Sequence, residues 1–219
     1  MDALNLYLFQ AMAAGFEPHP LLLSCATTIS GVSGWACLAV LAWMVGSRPG
    51  QFPTVLVTLA VGGVISLFAR DLASALDVPR PFMRGLSPLY VPHGLRPGLP
   101  STHASVMFTM AFMVLLRRSA SDAGAVLLVV AVLTGWSRIY LGIHFPADIA
   151  AGIVLAALTA AAWAVVREAE LVVPAVVEDP RDPASGRFLV LPHKGMQLVV
   201  AFTATTRIGH AGGQPDHIA

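Results

Sequence analysis

The string Pro100-Ser101-Thr102-His103 opens an uncharged apolar stretch and could do chemistry in its first turn. The hydroxyl of Ser101 or Thr102 is placed to cap a helix by accepting from the free backbone N–H groups of that turn. The same N–H groups can instead bind an anion, which would then lie beside the imidazole of His103. Taken alone, a capping serine followed by a histidine at the membrane interface explains the string about as well.

A second group of polar residues lies in the string SRIYLGIHFPAD, where Ser137 and Arg138 come shortly before His144 and Asp148. Pro146 suits the first position of a helix, so Asp148 falls in the opening turn. A carboxylate there can accept from one ring nitrogen of His144 and leave the other nitrogen as a nucleophile or base. Without Arg138, a dipole-complementing aspartate beside a turn-capping histidine is the simpler interpretation. A guanidinium, however, is the usual clamp for a phosphoryl group.

Arg80 stands between two prolines, in the string Pro79-Arg80-Pro81-Phe82, and Arg84 follows it closely. Proline on both sides stiffens the backbone and holds the arginine side chain in one direction. An arginine between prolines is more often a solvated loop residue, so its role depends on which elements surround it.

The elements that must position these residues are membrane helices. Of the 219 residues, 11% are charged and 56% are apolar, and the mean hydropathy is +0.74. A soluble domain is about 25% charged, and a bilayer core needs about 20 apolar residues per helix. Five intervals predict spanning helices: Glu17 to Arg48, Arg48 to Arg70, Arg96 to Arg117, Ala123 to Tyr140, and Pro146 to Val166. We predict an all-α, polytopic membrane helix bundle of about five to six transmembrane helices.

The pattern divides the chain into three regions. Residues 1–19 predict an interfacial or short helix, because the opening stretch is apolar but too short to cross a bilayer. Residues 20–166 form the transmembrane domain. Residues 167–219 regain charges and prolines and predict a polar, loosely structured tail. A formal net charge of +1 provides no field for a polyanion, so nucleic acid is a poor candidate partner.

Short connections between the spans decide which loops share a face of the membrane. The N-terminus, segment 70–99 and turn 138–146 fall on one side, and the turns at 47–51 and 117–122 fall on the other with the tail. The third and fifth spans then begin on the first side, so two positive helix ends meet there with the arginines and histidines. These groups predict a site for a multiply charged oxyanion, and the few nearby carboxylates predict no metal cage.

The arginines alone do not decide the orientation of the chain. The first side carries Arg70, Arg80, Arg84, Arg96 and Arg138, and the second carries Arg48, Arg117, Arg118 and Arg167. If some of the first-side arginines bind a ligand, the remainder favours a cytoplasmic second side. Segment 70–99 would then face outward.

In this order the three clusters resemble the type 2 phosphatidic acid phosphatase (PAP2) superfamily, whose pattern is Lys-x6-Arg-Pro, then Pro-Ser-x-His, then Ser-Arg-x5-His-x3-Asp. The third motif matches completely, and the second matches as PSTH, with Thr102 where glycine or aspartate is commoner. Such fixed spacing is a specific signal. The resemblance covers residues 52–166. The softer similarity of PRPFMRGL and LNLYLFQAMAAG indicates the bacterial undecaprenyl-diphosphatase branch.

The first motif departs from the family pattern. Arg80-Pro81 is present, but Ala73 occupies the position of the lysine. Arg70 is the nearest upstream cation, about one helical turn earlier, and its longer side chain is a candidate substitute. The departure concerns one phosphate contact and leaves the nucleophile untouched.

The resemblance implies a metal-independent phosphatase that needs no cofactor. His144, oriented by Asp148, would be the nucleophile that forms a phosphohistidine, and His103 would be the general acid and base. Phosphate binding would fall to Arg70, Arg80, Ser101, Thr102 and Arg138. The substrate would be a lipid phosphate in the bilayer, first of all undecaprenyl diphosphate, at the outer face of a bacterial inner membrane.

Other activities remain open on the sequence. A phosphatase for phosphatidate or phosphatidylglycerol phosphate, or a lipid phosphotransferase, would use the same histidines. The vanadate-dependent haloperoxidases of the superfamily are soluble, which disfavours them here. A non-catalytic lipid-binding or transport protein is favoured only by the missing lysine.

Overall fold

The computed structural model of the protein describes residues 3–168, 190–193 and 196–199. The chain separates into two compact units, Met1–Ala164 and Val165–Ala219. In the second unit, two short strands, Val190–His193 and Met196–Val199, pair in antiparallel register. Most of the predicted loosely structured tail lies outside the described residues.

The first unit is built from α-helices, which confirms the predicted all-α membrane bundle. In the described residues the helices are α1 (Ala3–Met12), α2 (Pro20–Ser47), α3 (Phe52–Leu76), α4 (Thr102–Leu115), α5 (Ser121–Tyr140) and α6 (Pro146–Glu168). Proline begins α2 and α6 and is the second residue of α3, where its missing N–H costs nothing. Short 3-10 turns at Pro49–Gln51 and Arg118–Ala120 join the helices on one side.

Four helical segments in the described part of the chain are long and apolar enough to cross a bilayer: Pro20–Ser47, Pro49–Leu76, Arg118–Tyr140 and Pro146–Arg167. Their outward faces carry large apolar side chains that are between 63% and 74% exposed, including Trp35, Val64, Leu67 and Leu158. Lipid is the solvent that suits such a surface. The protein is a multi-pass membrane protein.

The third predicted span is shorter than expected. Helix α4 has 14 residues, which span about 21 Å against a hydrocarbon core of about 30 Å. The prediction took the whole uncharged interval from Arg96 to Arg117 as helix. Pro97 and Pro100 keep the first part of that interval out of the helix, which starts only after the cap at Ser101.

Polar contacts join the two turns on one side of the bundle. The guanidinium of Arg48 donates to both carboxylate oxygens of Asp122, at 2.9 and 2.6 Å, and Gln51 Nε2 donates to Ser119 Oγ at 2.9 Å. The turns at 47–51 and 117–122 therefore share a face, as predicted.

Helix α1 closes the opposite side of the bundle. Asn5 Oδ1 accepts from the backbone N–H of Ala147 at 3.0 Å, at the first turn of α6. The ring of Phe9 is buried and packs edge-on against Phe145, with centroids 5.2 Å apart. The N-terminal segment, predicted to be a short or interfacial helix, thus braces the residues that flank His144.

The N-termini of α4 and α6 meet in close contact. A Cβ on Gly152 of α6 would lie 2.9 Å from the Cβ of Ala104 and 3.1 Å from the carbonyl oxygen of Ser101. The backbone N–H of Ser101 donates to the carbonyl oxygen of Asp148 at 3.0 Å. Glycine at 152 allows this approach, which brings the two positive helix ends together.

Candidate active site

A cavity of about 410 Å³ lies where the ends of the helices and the long 77–101 connection meet. It is lined by Arg70, Ala73, Ser74, Arg80, His93, Arg96, Pro97, Thr102, His103 and His144. Three of these residues are arginines, three are histidines, and the lining residues include no carboxylate. Such a wall favours a multiply charged anion.

His144 is held by partners on both ring nitrogens. Its Nδ1 lies 3.1 Å from Asp148 Oδ2, and its Nε2 lies 2.8 Å from Arg80 Nη1. A guanidinium can only donate, so Nε2 accepts and the proton lies on Nδ1. The pair is 2% exposed at both residues. The imidazole therefore presents a lone pair on Nε2, the form that a nucleophile needs.

Burial has a direct effect on the charge of His144, which lies in the connection between α5 and α6. Loss of solvation lowers the pKa of this imidazole below its usual range, and the hydrogen bond to Asp148 opposes the shift. The nearby guanidinium groups of Arg80 and Arg138 add to the lowering. The ring is therefore neutral at neutral pH.

Asp148 is fixed by the helix that it opens. Pro146 begins α6, which places Asp148 in its first turn. Its Oδ2 accepts a second hydrogen bond, at 2.9 Å, from the backbone N–H of Phe145. One oxygen thus caps the helix and orients His144 at the same time.

Arg80 is clamped by backbone carbonyl groups. Its Nε donates to the carbonyl oxygen of Arg96 at 2.7 Å, and its Nη2 donates to that of Pro97 at 3.1 Å. Nη1, which also faces His144, lies 3.4 Å from the carbonyl oxygen of Ile143. The arginine between two prolines is therefore a buried, ordered residue and not a solvated loop residue.

The PSTH string opens α4 beside the cavity. Ser101 is the helix cap, because its Oγ accepts from the backbone N–H of Ala104 at 3.4 Å, and it is fully buried. Thr102 and His103 follow in the first turn and line the cavity. The imidazoles of His103 and His144 thus share one pocket.

Arg138 lies at the end of α5 and is 6% exposed. Its carbonyl oxygen accepts from the backbone N–H groups of Ile143 and His144, at 3.0 and 3.2 Å. Its Nε makes no hydrogen bond to any described residue. The turn between Arg138 and His144 needs glycine at Gly142, where φ is +69° and a Cβ would collide with Ser87.

The upstream cation of the first motif also reaches the cavity. Ala73, which replaces the family lysine, lines it, and so does Arg70 one turn earlier on α3. The structure therefore places an arginine beside the position where the lysine side chain would start. Arg84 lies elsewhere, with its guanidinium 5.6 Å from the ring centre of Phe145.

Sequence reasoning did not single out three residues in or beside the cavity that bear on the chemistry: His93, Arg96 and Gly98. His93 and Arg96 line the cavity from the connection before α4. Gly98 lies against Asp148 and Arg80, since a Cβ there would lie 2.9 Å from Asp148 Oδ2 and 3.0 Å from Arg80 Cγ. The signal was the glycine- and proline-rich string VPHGLRPGLP, which indicates a chain that must pass close to other groups.

Comparison with known proteins gives the family of the chain. Residues 52–171 match the family model of the PAP2 superfamily. The chain is 30% identical over 156 residues to "Putative undecaprenyl-diphosphatase YbjG" of Escherichia coli, covering 70% of this chain and 77% of that protein. It is 25% identical over 126 residues to undecaprenyl-diphosphatase BcrC of Bacillus subtilis, covering 57% of this chain and 63% of that protein.

A solved structure shares the fold. LpxE of Aquifex aeolicus superposes with a TM-score of 0.59 at 25% sequence identity, covering 74% of this chain and 94% of that one. The family match includes the strings that supply Arg80, His103 and His144 to one cavity. On these grounds the chain belongs to the PAP2 superfamily, among its membrane phosphatases.

Proposed function

We propose that this protein is an integral-membrane lipid phosphatase that hydrolyses undecaprenyl diphosphate to undecaprenyl phosphate through a phosphohistidine. One observation carries the proposal: His144, whose Nδ1 is held by Asp148, lines the same cavity as His103 and Arg80. An oriented imidazole whose Nε2 lone pair is held only by an Arg80 N–H, next to a second imidazole, suits attack on phosphorus once that N–H turns to the phosphoryl group.

In the first step, His144 Nε2 attacks the terminal phosphorus. The bond from that phosphorus to the bridging oxygen breaks, and its electron pair stays on the oxygen of the lipid monophosphate. His103 donates a proton to this oxygen. The Arg80 N–H that now points at Nε2 turns to a phosphoryl oxygen as the N–P bond forms.

In the second step, water hydrolyses the phosphohistidine. His103 accepts a proton from the water as its oxygen bonds to phosphorus. The N–P bond breaks, its electron pair returns to Nε2, and inorganic phosphate leaves. Asp148 stabilises the positive charge that the ring carries while it is phosphorylated.

The remaining predicted contacts would hold the phosphoryl oxygens. Arg138 brings a buried guanidinium whose Nε has no hydrogen bond to a described residue, which supports a ligand contact. Thr102 and Arg70 line the cavity. Ser101 caps α4, so it also keeps the first N–H groups of that helix aimed at the anion.

A substrate with a long apolar tail is supported by the outer face of α3. Leu67, Arg70 and Ser74 share one face of this helix, and all three are exposed. Along this face, an apolar side chain at Leu67 is thus followed within two turns by Arg70 and Ser74, which line the cavity. A lipid can keep its tail on the apolar part in the bilayer while its phosphate reaches His144. The two curated relatives support undecaprenyl diphosphate as the lipid.

We assign the protein to a bacterial inner membrane with the cavity facing outward. The supporting observation is that Arg48 and Arg118 stay on the other side, away from the cavity, where they favour the cytoplasm. Membrane-impermeant labelling of a cysteine introduced at Gly94 or at Ser119 tests this. Labelling of intact cells at Ser119 and not at Gly94 would reverse the orientation.

A lipid panel tests the activity. The purified protein in detergent, with excess EDTA, is given undecaprenyl diphosphate, phosphatidate and phosphatidylglycerol phosphate, and released phosphate is measured. We expect the highest kcat/KM for undecaprenyl diphosphate and no loss with EDTA. A strict requirement for Mg²⁺ contradicts the metal-free mechanism, and a preference for another lipid contradicts the substrate.

Replacing Gly98 by alanine should lower kcat about 100-fold. The added Cβ would lie 2.9 Å from Asp148 Oδ2 and 3.0 Å from Arg80 Cγ, so the pair that orients His144 must shift. A displacement of about 1 Å at a reacting group can cost that much in rate. Gly94→Ala is the matched control, because its Cβ would be 4.0 Å from its nearest contacts. Equal kcat values for the two variants would show that the close contact of Gly98 with Asp148 and Arg80 does not matter for the rate.

A further inference from the structure

The cavity holds more positive and hydrogen-bonding groups than one phosphoryl group needs. Arg80, His103 and His144 already provide the clamp, the acid and the nucleophile of the proposed reaction. Arg96 and His93 line the same cavity without a part in that chemistry. The cavity volume of about 410 Å³ equals the volume of on the order of ten water molecules in the liquid. It therefore exceeds the volume of one phosphoryl group.

We propose that His93 and Arg96 form a second anion subsite, which binds the phosphate that stays on the lipid when the terminal phosphate of a diphosphate is transferred. This inference rests on the proposed function and deepens it, because it assigns the preference for a diphosphate over a monophosphate to two named side chains.

The backbone around Arg96 fixes where this subsite lies. The carbonyl oxygens of Arg96 and Pro97 accept from Arg80, whose Nη1 faces Nε2 of His144. The backbone N–H of Gly98 donates to the carbonyl oxygen of Val78 at 2.9 Å. The connection is thus tied to the attacking nitrogen through one guanidinium, and the Arg96 side chain starts from a fixed point next to it.

His93 extends the same wall. Its ring packs edge-on against Phe82, with centroids 6.3 Å apart, and it is half-buried. Burial, with Arg80 and Arg138 nearby, lowers the pKa of His93 to about 4. The ring is therefore neutral at neutral pH and can donate one N–H to a phosphate oxygen. Arg96, which is exposed, supplies the full charge.

Binding of two non-hydrolysable anions tests the proposal. Calorimetry on the full chain in detergent compares methylenediphosphonate, which spans both subsites, with methylphosphonate, which occupies one. We expect His93→Gln and Arg96→Gln each to weaken diphosphonate binding about tenfold and monophosphonate binding less than twofold. The backbone carbonyl of Arg96 that holds Arg80 is retained in every substitution.

Two controls separate a local contact from general electrostatics. Arg84→Gln removes a charge from the same connection, but its guanidinium lies over Phe145. His19→Gln removes an exposed histidine that precedes α2. Both should leave the ratio of the two affinities unchanged, and Arg96→Lys should recover part of it.

The proposal is overturned if the His93 and Arg96 variants weaken both ligands equally, or neither. Equal weakening would assign these residues to the reacting phosphate. The wild type could prefer the diphosphonate, and the variants could lose that preference, although the wild type does not hydrolyse undecaprenyl diphosphate. This result would reject the proposed substrate and leave the subsite standing. Hydrolysis of undecaprenyl diphosphate by the wild type, with the same ratio of affinities in the wild type and the variants, would reject the subsite alone.

Discussion

Replacing His144 by alanine should lower turnover of the lipid diphosphate by about 10⁴-fold or more, because of the three imidazoles that line the cavity it is the one held by a carboxylate. Lipid binding should stay within a few-fold of wild type, since Arg80 and the start of α4 remain. Rapid quench with substrate labelled at the terminal phosphate measures both the rate and the covalent intermediate. Wild type should show alkali-stable, acid-labile label on the protein, and His144→Ala should show none.

His103→Ala is the informative comparison for this experiment. It keeps the nucleophile and removes the acid and base, so label should form slowly and also leave slowly. His19→Ala, at an exposed position outside the cavity, should behave as wild type. Label that persists on His144→Ala would place the covalent step on another residue and end the proposed mechanism.

Asp148→Ala should lower kcat by about 10³- to 10⁴-fold while KM changes little. Asp148 Oδ2 accepts from both His144 Nδ1 and the backbone N–H of Phe145, so alanine releases the ring and leaves a buried donor unpaired. The unpaired N–H of Phe145 should also reduce the free energy of unfolding by about 1–3 kcal/mol, measured by thermal or denaturant unfolding in detergent.

Asp148→Asn separates orientation from charge. Because a single oxygen makes both hydrogen bonds, an asparagine oxygen at that position can keep them, and only the negative charge is lost. We therefore expect an intermediate loss of rate with near-normal stability. Asn5→Ala controls for weakening of α6, since it removes the bond to Ala147 at the same helix end without touching His144. A loss of activity in Asn5→Ala equal to that in Asp148→Ala would show that helix stability, and not orientation, explains the result.

Local spacing was sufficient to predict the contact between His144 and Asp148. His144 and Asp148 are four residues apart across a helix start marked by Pro146, so their contact depends on one turn of backbone. A cap at Ser101 or Thr102 was predicted for the same reason, and the structure places it at Ser101. The apolar intervals predicted the first, second, fourth and fifth spans and the sharing of faces, because the thickness of a bilayer is a strong constraint on length.

The rest depends on contacts between distant parts of the chain. Arg80 is oriented by carbonyl groups of residues 96, 97 and 143, which no local pattern relates to it. His93 was not predicted as a site residue, because it lies in a glycine- and proline-rich connection. Such a connection has no regular periodicity from which the direction of the side chain can be inferred. Gly98 has a role only because the connection returns over Asp148, which requires the tertiary fold.

The short length of α4 has a consequence for how a substrate is approached. A helix of 14 residues spans about 21 Å, so if its C-terminal end meets one boundary of a hydrocarbon layer about 30 Å thick, its N-terminus is expected about 9 Å short of the other. We therefore expect the imidazoles of His103 and His144 to lie in a recess of the membrane surface, covered by the 77–101 connection. A head group can slide in sideways from its own leaflet without being lifted into the aqueous phase, and the bilayer around the recess is expected to thin to meet it.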